Sequence, residues 1–249
     1  MKIVKITKVQ LTFFAIVAFM LHLPFAFSGT KTFSLNNTPL ITKSVFVSPI
    51  SFSSIKMYDS LKLNLSGLSE QAFISAVKGY EYLKLKGKIG NENILSIADF
   101  SRPSSHKRFF VIDLKNLKVL FNTYVAHGQN SGAAMATQFS NIPESLQSSL
   151  GFYTTSSTYI GKNGYSMHLK GMENGINDKA EERAIVMHGA PYINNDIINE
   201  RGYIGRSWGC PALPEKMNKP IIDKIKNGSC LFIYSENSKY LQSSKILNS

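Results

Sequence analysis

The chain is 249 residues long, 43% hydrophobic and 18% charged, and carries a formal net charge of +12. That balance excludes a disordered polyelectrolyte and leaves room for one good-sized core rather than two full domains. The lysines, Lys84, Lys107, Lys118 and Lys224 among them, are scattered rather than blocked with aromatics, so no nucleic-acid partner is expected.

Residues 1–28 read as a secretory signal peptide. Lys2, Lys5 and Lys8 give a positive start, residues 11–23 are strongly apolar, and Ala26-Phe27-Ser28 puts small residues at −3 and −1 of a cleavage site. The apolar stretch 11–27 has 17 residues, the short end of a membrane span, so an uncleaved anchor is the competing reading. His22 and Pro24 favour cleavage, and membrane attachment is expected only without it. Either way the chain is expected to be exported, to a periplasm or cell envelope. Losing residues 1–28 lowers the formal charge from +12 to +9, which still draws the protein to polyanions such as cell-wall carboxylates.

Residues 29–66, rich in Ser, Thr, Asn and Lys, show no sustained period and read as an arm or linker. A main domain is expected over 67–236. Leu68, Ala72, Phe73, Ala76, Val77, Tyr80 and Leu83 share one helical face, with Ser69 as N-cap and Gly87 as terminator. Strands follow at 94–100, 108–114 and 117–125, the last two joined by a two-residue hairpin at Lys115-Asn116. Residues 128–149 read as loop, 165–169 and 184–187 as strands. Pro214 to Lys226 reads as helix interrupted at Pro220, and 229–235 as a closing strand, with a polar tail over 237–249. The fold class expected from this order is α+β, mainly β with a few helices.

Chemistry concentrates in Gly205-Arg206-Ser207-Trp208-Gly209-Cys210, with Val186-Met187-His188-Gly189 placing an imidazole 22 residues upstream of the thiol. A thiol that attacks and an imidazole that manages its proton are what cysteine-dependent acyl transfer needs. Gly209 lacks a Cβ and lets substrate approach the backbone. Backbone N–H groups near Trp208, Gly209 and Cys210 can serve an oxyanion, and the carbonyl of Gly189 can orient the ring of His188. His188 and Arg206 are the cations expected to act on the thiol. Against these stand blander readings: a structural cysteine, a core histidine, or a Cys210–Cys230 disulfide in an oxidising compartment. A metal site is not expected, because no HxxxH, HxH or HExxH spacing occurs.

At His188-Gly189 and Ser207-Trp208-Gly209-Cys210 the sequence resembles the L,D-transpeptidase catalytic domain (YkuD-like), specifically a divergent branch with Gly-Arg-Ser-Trp-Gly-Cys-Pro-Ala. Further pieces of that pattern are Val125-Ala126-His127-Gly128, Asn130-Ser131-Gly132, Phe139-Ser140-Asn141 and the run from Arg183 to His188. The resemblance implies a β-sandwich-like catalytic domain with a helical N-terminal addition, and a reaction on peptidoglycan stem peptides. Cys210 would attack the bond between the diamino acid and the terminal D-Ala of a tetrapeptide stem, forming a thioester. An amine from a neighbouring stem would then make a 3→3 cross-link. Water in its place would make the chain an L,D-carboxypeptidase or endopeptidase, and a decayed site would leave a basic cell-wall-binding protein. The resemblance implies no metal and no organic cofactor. It makes Cys210 the nucleophile and His188 the base, with Gly209, Trp208 and Gly189 in oxyanion or orienting roles and Arg206, Ser207 and His127 on the substrate side. Two departures matter. Trp208 stands where the commoner pattern has a second histidine, and Pro211-Ala212 stands where it often has an arginine.

Overall fold

The computed structural model describes residues 49–249, with side chains from residue 53 onward. The expected signal peptide lies outside the described residues, as does the arm up to residue 48. From Pro49 the chain is helical: α1 (Pro49–Ser60) and α2 (Leu63–Ser66) precede the long α3 (Glu70–Leu85). The loose arm expected over 29–66 is thus ordered helix from Pro49 onward. Leu63 and Tyr58 are buried, and the Tyr58 hydroxyl donates to Leu68 O at 2.6 Å, so a few anchors fix a segment whose overall pattern is polar. α3 matches its expected face, and the Ser69 side chain accepts from Ala72 N at 3.3 Å as N-cap.

Eight strands form one sheet in the order β3-β2-β1-β8-β4-β5-β6-β7. Their ranges are β1 (Ile94–Asp99), β2 (Phe109–Asp113), β3 (Lys118–Thr123), β4 (Gly151–Gly161), β5 (Gly164–Gly171), β6 (Val186–Ala190), β7 (Ala212–Pro214) and β8 (Cys230–Tyr234). β1 pairs parallel to β8 and β6 parallel to β7; the other neighbours are antiparallel. Every residue of β1, β2 and β8 is buried, which explains why they read as mainly apolar runs, interrupted by Ser96, Asp99 and Asp113. Beyond β3, Ala126 bridges Ala212 of β7 and Gly128 bridges Ser207. The two edges of the sheet therefore meet, and one curled sheet does the work of the expected sandwich.

α3 packs on β1 and β8, and a Cβ at its Gly79 would sit 2.0 Å from the Phe152 ring of β4. That ring stacks on Phe232 with centroids 4.1 Å apart. α5 (Glu215–Ile225) covers β6 from outside, burying Ile221, Ile222 and Ile225. Pro220 does not split it. The β2–β3 connection takes four residues, not two, because Asp113 accepts from Asn116 N at 2.9 Å and closes a wider turn. β4 and α4 (Asn195–Arg201) had no counterpart in the sequence reading.

The C-terminal residues are not a free tail. α6 (Ser238–Ser243) lies against the domain, with Tyr240 and Ser244 both donating to the buried carboxylate of Glu173. The carboxylate also accepts from Phe152 N at 2.9 Å. Among the described residues no helix is long and apolar enough to cross a membrane.

Candidate active site

β6 and the turn leading into β7 carry the candidate pair. Their parallel register sets His188 opposite Ala212, so Cys210, two residues ahead, falls alongside Val186. The Val186 N–H donates to Cys210 Sγ at 3.4 Å, and the thiol points to Ala184 O at 3.8 Å. His188 lies within β6 rather than at its end, and its Nδ1 donates to Gly189 O at 2.8 Å, the orienting bond expected of that carbonyl. The Nε2 lone pair is then the ring's acceptor. His188 and Cys210 open into the same cleft of about 510 Å³ but share no hydrogen bond.

Burial lowers the pKa of His188, with the Gly189 bond working the other way. Burial raises the Cys210 thiol, opposed by the Val186 N–H, the charge of Arg183 and its own backbone N–H. Both directions favour a neutral imidazole and a neutral thiol at rest, so a proton must leave sulfur as attack begins. Both cysteines are free, and Cys230 is wholly buried in β8, with burial pushing its thiol far up; the disulfide alternative is not formed.

Ser207 staples the turn before the thiol: its hydroxyl donates to Cys210 O at 2.6 Å and accepts from Gly209 N at 3.1 Å. It holds the turn while lining the cleft, and it occupies the Gly209 N–H expected to serve an oxyanion. The Trp208 N–H has no partner among the described residues. Gly209 adopts φ +128, and a Cβ there would lie 2.9 Å from Gln147 O, so only glycine fits without strain. Its carbonyl accepts from Ser148 Oγ at 3.1 Å. The expected loop 128–149 therefore packs behind the thiol turn.

Arg183 is the residue the sequence reading undervalued. Its guanidinium holds that loop through Ser140 O (2.6 Å), Gln147 O (2.6 Å) and Ser149 Oγ (2.5 Å), and its charge acts on Cys210. Arg206, expected in that role, is exposed and donates to Gln129 O and Gly132 O, each at 3.1 Å, while lining the cleft. No spacing rule singles out Arg183, 27 residues before the thiol. Only the sheet brings them together.

His127 is not a cleft residue. It is fully buried, its Nδ1 facing Arg108 Nη2 at 2.7 Å and its Nε2 facing Gly132 O at 3.2 Å. Arg108, equally buried, also donates to Val125 O and Arg102 O. Burial and that cation hold His127 down at about 4. Its backbone carbonyl accepts from Ser207 N at 2.9 Å, so it supports the thiol turn from beneath. The exposed arm of the β4–β5 hairpin adds Tyr159, Lys162 and Asn163 to the cleft wall, and Trp208 stands at its rim, 72% exposed. Among the described residues no carboxylate lines the cleft. Among the described residues no group of three His, Cys, Asp or Glu is placed to hold a metal ion.

The family model described as an L,D-transpeptidase catalytic domain matches residues 64–234. The chain belongs to that family. L,D-transpeptidases act on peptidoglycan. Similar solved structures include an L,D-transpeptidase from Mycobacterium smegmatis, at 15% identity and TM-score 0.36, covering 57% of this chain and 59% of that one. L,D-transpeptidase 3 from Mycobacterium tuberculosis, in complex with a faropenem-derived adduct, shows 12% identity and TM-score 0.38, covering 57% and 60%. One from Xylanimonas cellulosilytica shows 11% identity and TM-score 0.32, covering 57% and 60%. The chain thus matches about three fifths of the length of these structures. No curated protein matches. Within this L,D-transpeptidase domain, the motif pieces around His127 and Ser140 form the scaffold behind Cys210, while Arg183 both ties that scaffold and lines the cleft.

Proposed function

We propose that the protein is an exported L,D-transpeptidase in which Cys210 is the nucleophile and His188 the base. The observation that carries this reading is the β6–β7 register, which puts a thiol and an oriented neutral imidazole on one wall of one cleft. Sγ attacks the carbonyl between the diamino acid and D-Ala while its proton passes to His188 Nε2. The N–H groups of Trp208 and Cys210 are the donors for the resulting oxyanion, since Ser207 occupies that of Gly209. The C–N bond breaks as His188 returns the proton to the departing D-Ala amine, leaving a thioester. An amine from a second stem then attacks, gives its proton to His188, and the collapsing intermediate regenerates the thiol. Lys162 and Arg206, with no carboxylate among the described lining residues, suit an anionic stem. The basic charge and the leader features of residues 1–28 favour work in the envelope.

The test is incubation with tetrapeptide muropeptides, following dimers and released D-Ala by mass. Dimers that vanish in Cys210→Ala support the reading. D-Ala release without dimers selects the carboxypeptidase, and full activity in Cys210→Ala overturns the assignment of the nucleophile.

A further inference from the structure

Trp208 is the chain's single tryptophan, two residues before Cys210, and it stands 72% exposed on the cleft rim. Large aromatic side chains normally bury most of their surface, and an exposed indole at a cleft mouth is surface held ready for a partner. The ring does not sit on a loose loop, because Ser207 staples the backbone on both sides of it. On the hairpin wall of the same cleft Tyr159 lies nearly flat on His168, with centroids 4.6 Å apart and planes 22° apart.

We propose that Trp208 stacks on the pyranose ring of the sugar that bears the stem peptide, so that the cleft reads glycan as well as peptide; this rests on the transpeptidase reading above. The reacting end of a stem, a diamino acid followed by D-Ala, offers methyl, amide and charged groups, none of them broad and flat. A pyranose chair presents a face of C–H bonds wide enough to cover an indole. Its hydroxyls lie around that face, and Lys162, Asn163 and Arg206 supply donors along the cleft. Neither Trp208 nor these donors is opposed by a carboxylate in the lining, so the site does not select a cationic ligand.

The test uses the full chain, in which all tryptophan emission comes from residue 208. Titration with a peptide-free GlcNAc–MurNAc disaccharide is expected to shift that emission saturably, in the wild type and in Cys210→Ala alike. With wild type, KM for a disaccharide tetrapeptide is expected to lie about tenfold below that for the sugar-free tetrapeptide. Trp208→Ala removes that difference and Trp208→Phe restores part of it. Equal KM values in the wild type, or emission moved by the sugar-free peptide but not by the disaccharide, overturn the proposal. A saturable shift with the disaccharide and no turnover of either substrate supports the sugar subsite and overturns the transpeptidase reading instead.

Discussion

His127 gives the domain a built-in acid limit that can be measured. Its Nδ1 must keep a lone pair for Arg108 Nη2 at 2.7 Å, and protonation would set two N–H donors against each other in a site without water access. The folded pKa is depressed from 6.5 to about 4. A depressed value means that the neutral ring's contribution is present above pH 6.5 and lost as pH falls toward 4. Between pH 8 and pH 5 the unfolded chain takes up a proton here that the folded chain refuses, which removes about 2 kcal/mol of stability. The loss approaches about 3 kcal/mol below pH 4. His127→Gln keeps polar atoms for Arg108 and Gly132 but does not titrate. Urea unfolding of both proteins at pH 8 and pH 5 isolates the effect, because the other groups are common to both and cancel. The wild type should lose about 2 kcal/mol more than the variant over that interval. Equal losses would refute the proposed hydrogen-bond polarity of Arg108 and His127.

Arg183→Gln removes the cation that acts on Cys210, so the thiol rises further; alkylation at pH 7.5, read by intact mass, should slow roughly tenfold, with buried Cys230 silent. Gly209→Ala forces a side chain into φ +128 and against Gln147 O, and is expected to cost about 1–3 kcal/mol in a thermal melt together with most of the acylation rate. Ser244→Ala leaves one Glu173 oxygen without its hydroxyl partner and should cost about 1–3 kcal/mol at pH 8. Because burial already raises Glu173, that deficit should shrink at low pH, where the carboxyl is protonated. A deficit that grows on acidification would refute the pairing.

The sequence made legible those elements whose burial pattern is simple. α3 has one apolar face, and β1, β2 and β8 are buried on both sides, so period and run length reveal them. β4 carries no clear period in the sequence because only Gly151 to Thr155 lies in the core, while its outer half forms an exposed arm. α5 was split at Pro220 in the sequence reading because local preference opposes a mid-helix proline, yet Ile221, Ile222 and Ile225 pack against the core and hold the helix together. Glu173 could not be recognised as a buried anchor from its neighbours in sequence, since two of its three partners come from the last 10 residues. Cys210 and His188 stand out by residue type and motif, and both line the cleft. Arg183, Arg108 and the inward position of His127 do not stand out, because their roles arise where the curled sheet brings its edges together.

That closure also explains how one histidine can carry the proton work on the proposed mechanism. His188 is oriented by the carbonyl of Gly189, a dipole, and among the described residues no carboxylate in the cleft stands ready to hold an imidazolium. An imidazolium there gains little, so the ring gives its proton to the departing amine soon after taking it. The same lack of carboxylates keeps the cleft attractive to anionic stems. Cation for the thiol is supplied instead by Arg183, which lines the cleft beside Cys210 while its guanidinium is tied to loop carbonyls. With the imidazole neutral and the positive charge of Arg183 held beside the sulfur, the position taken by Trp208 is free of proton chemistry and open to a side chain that binds.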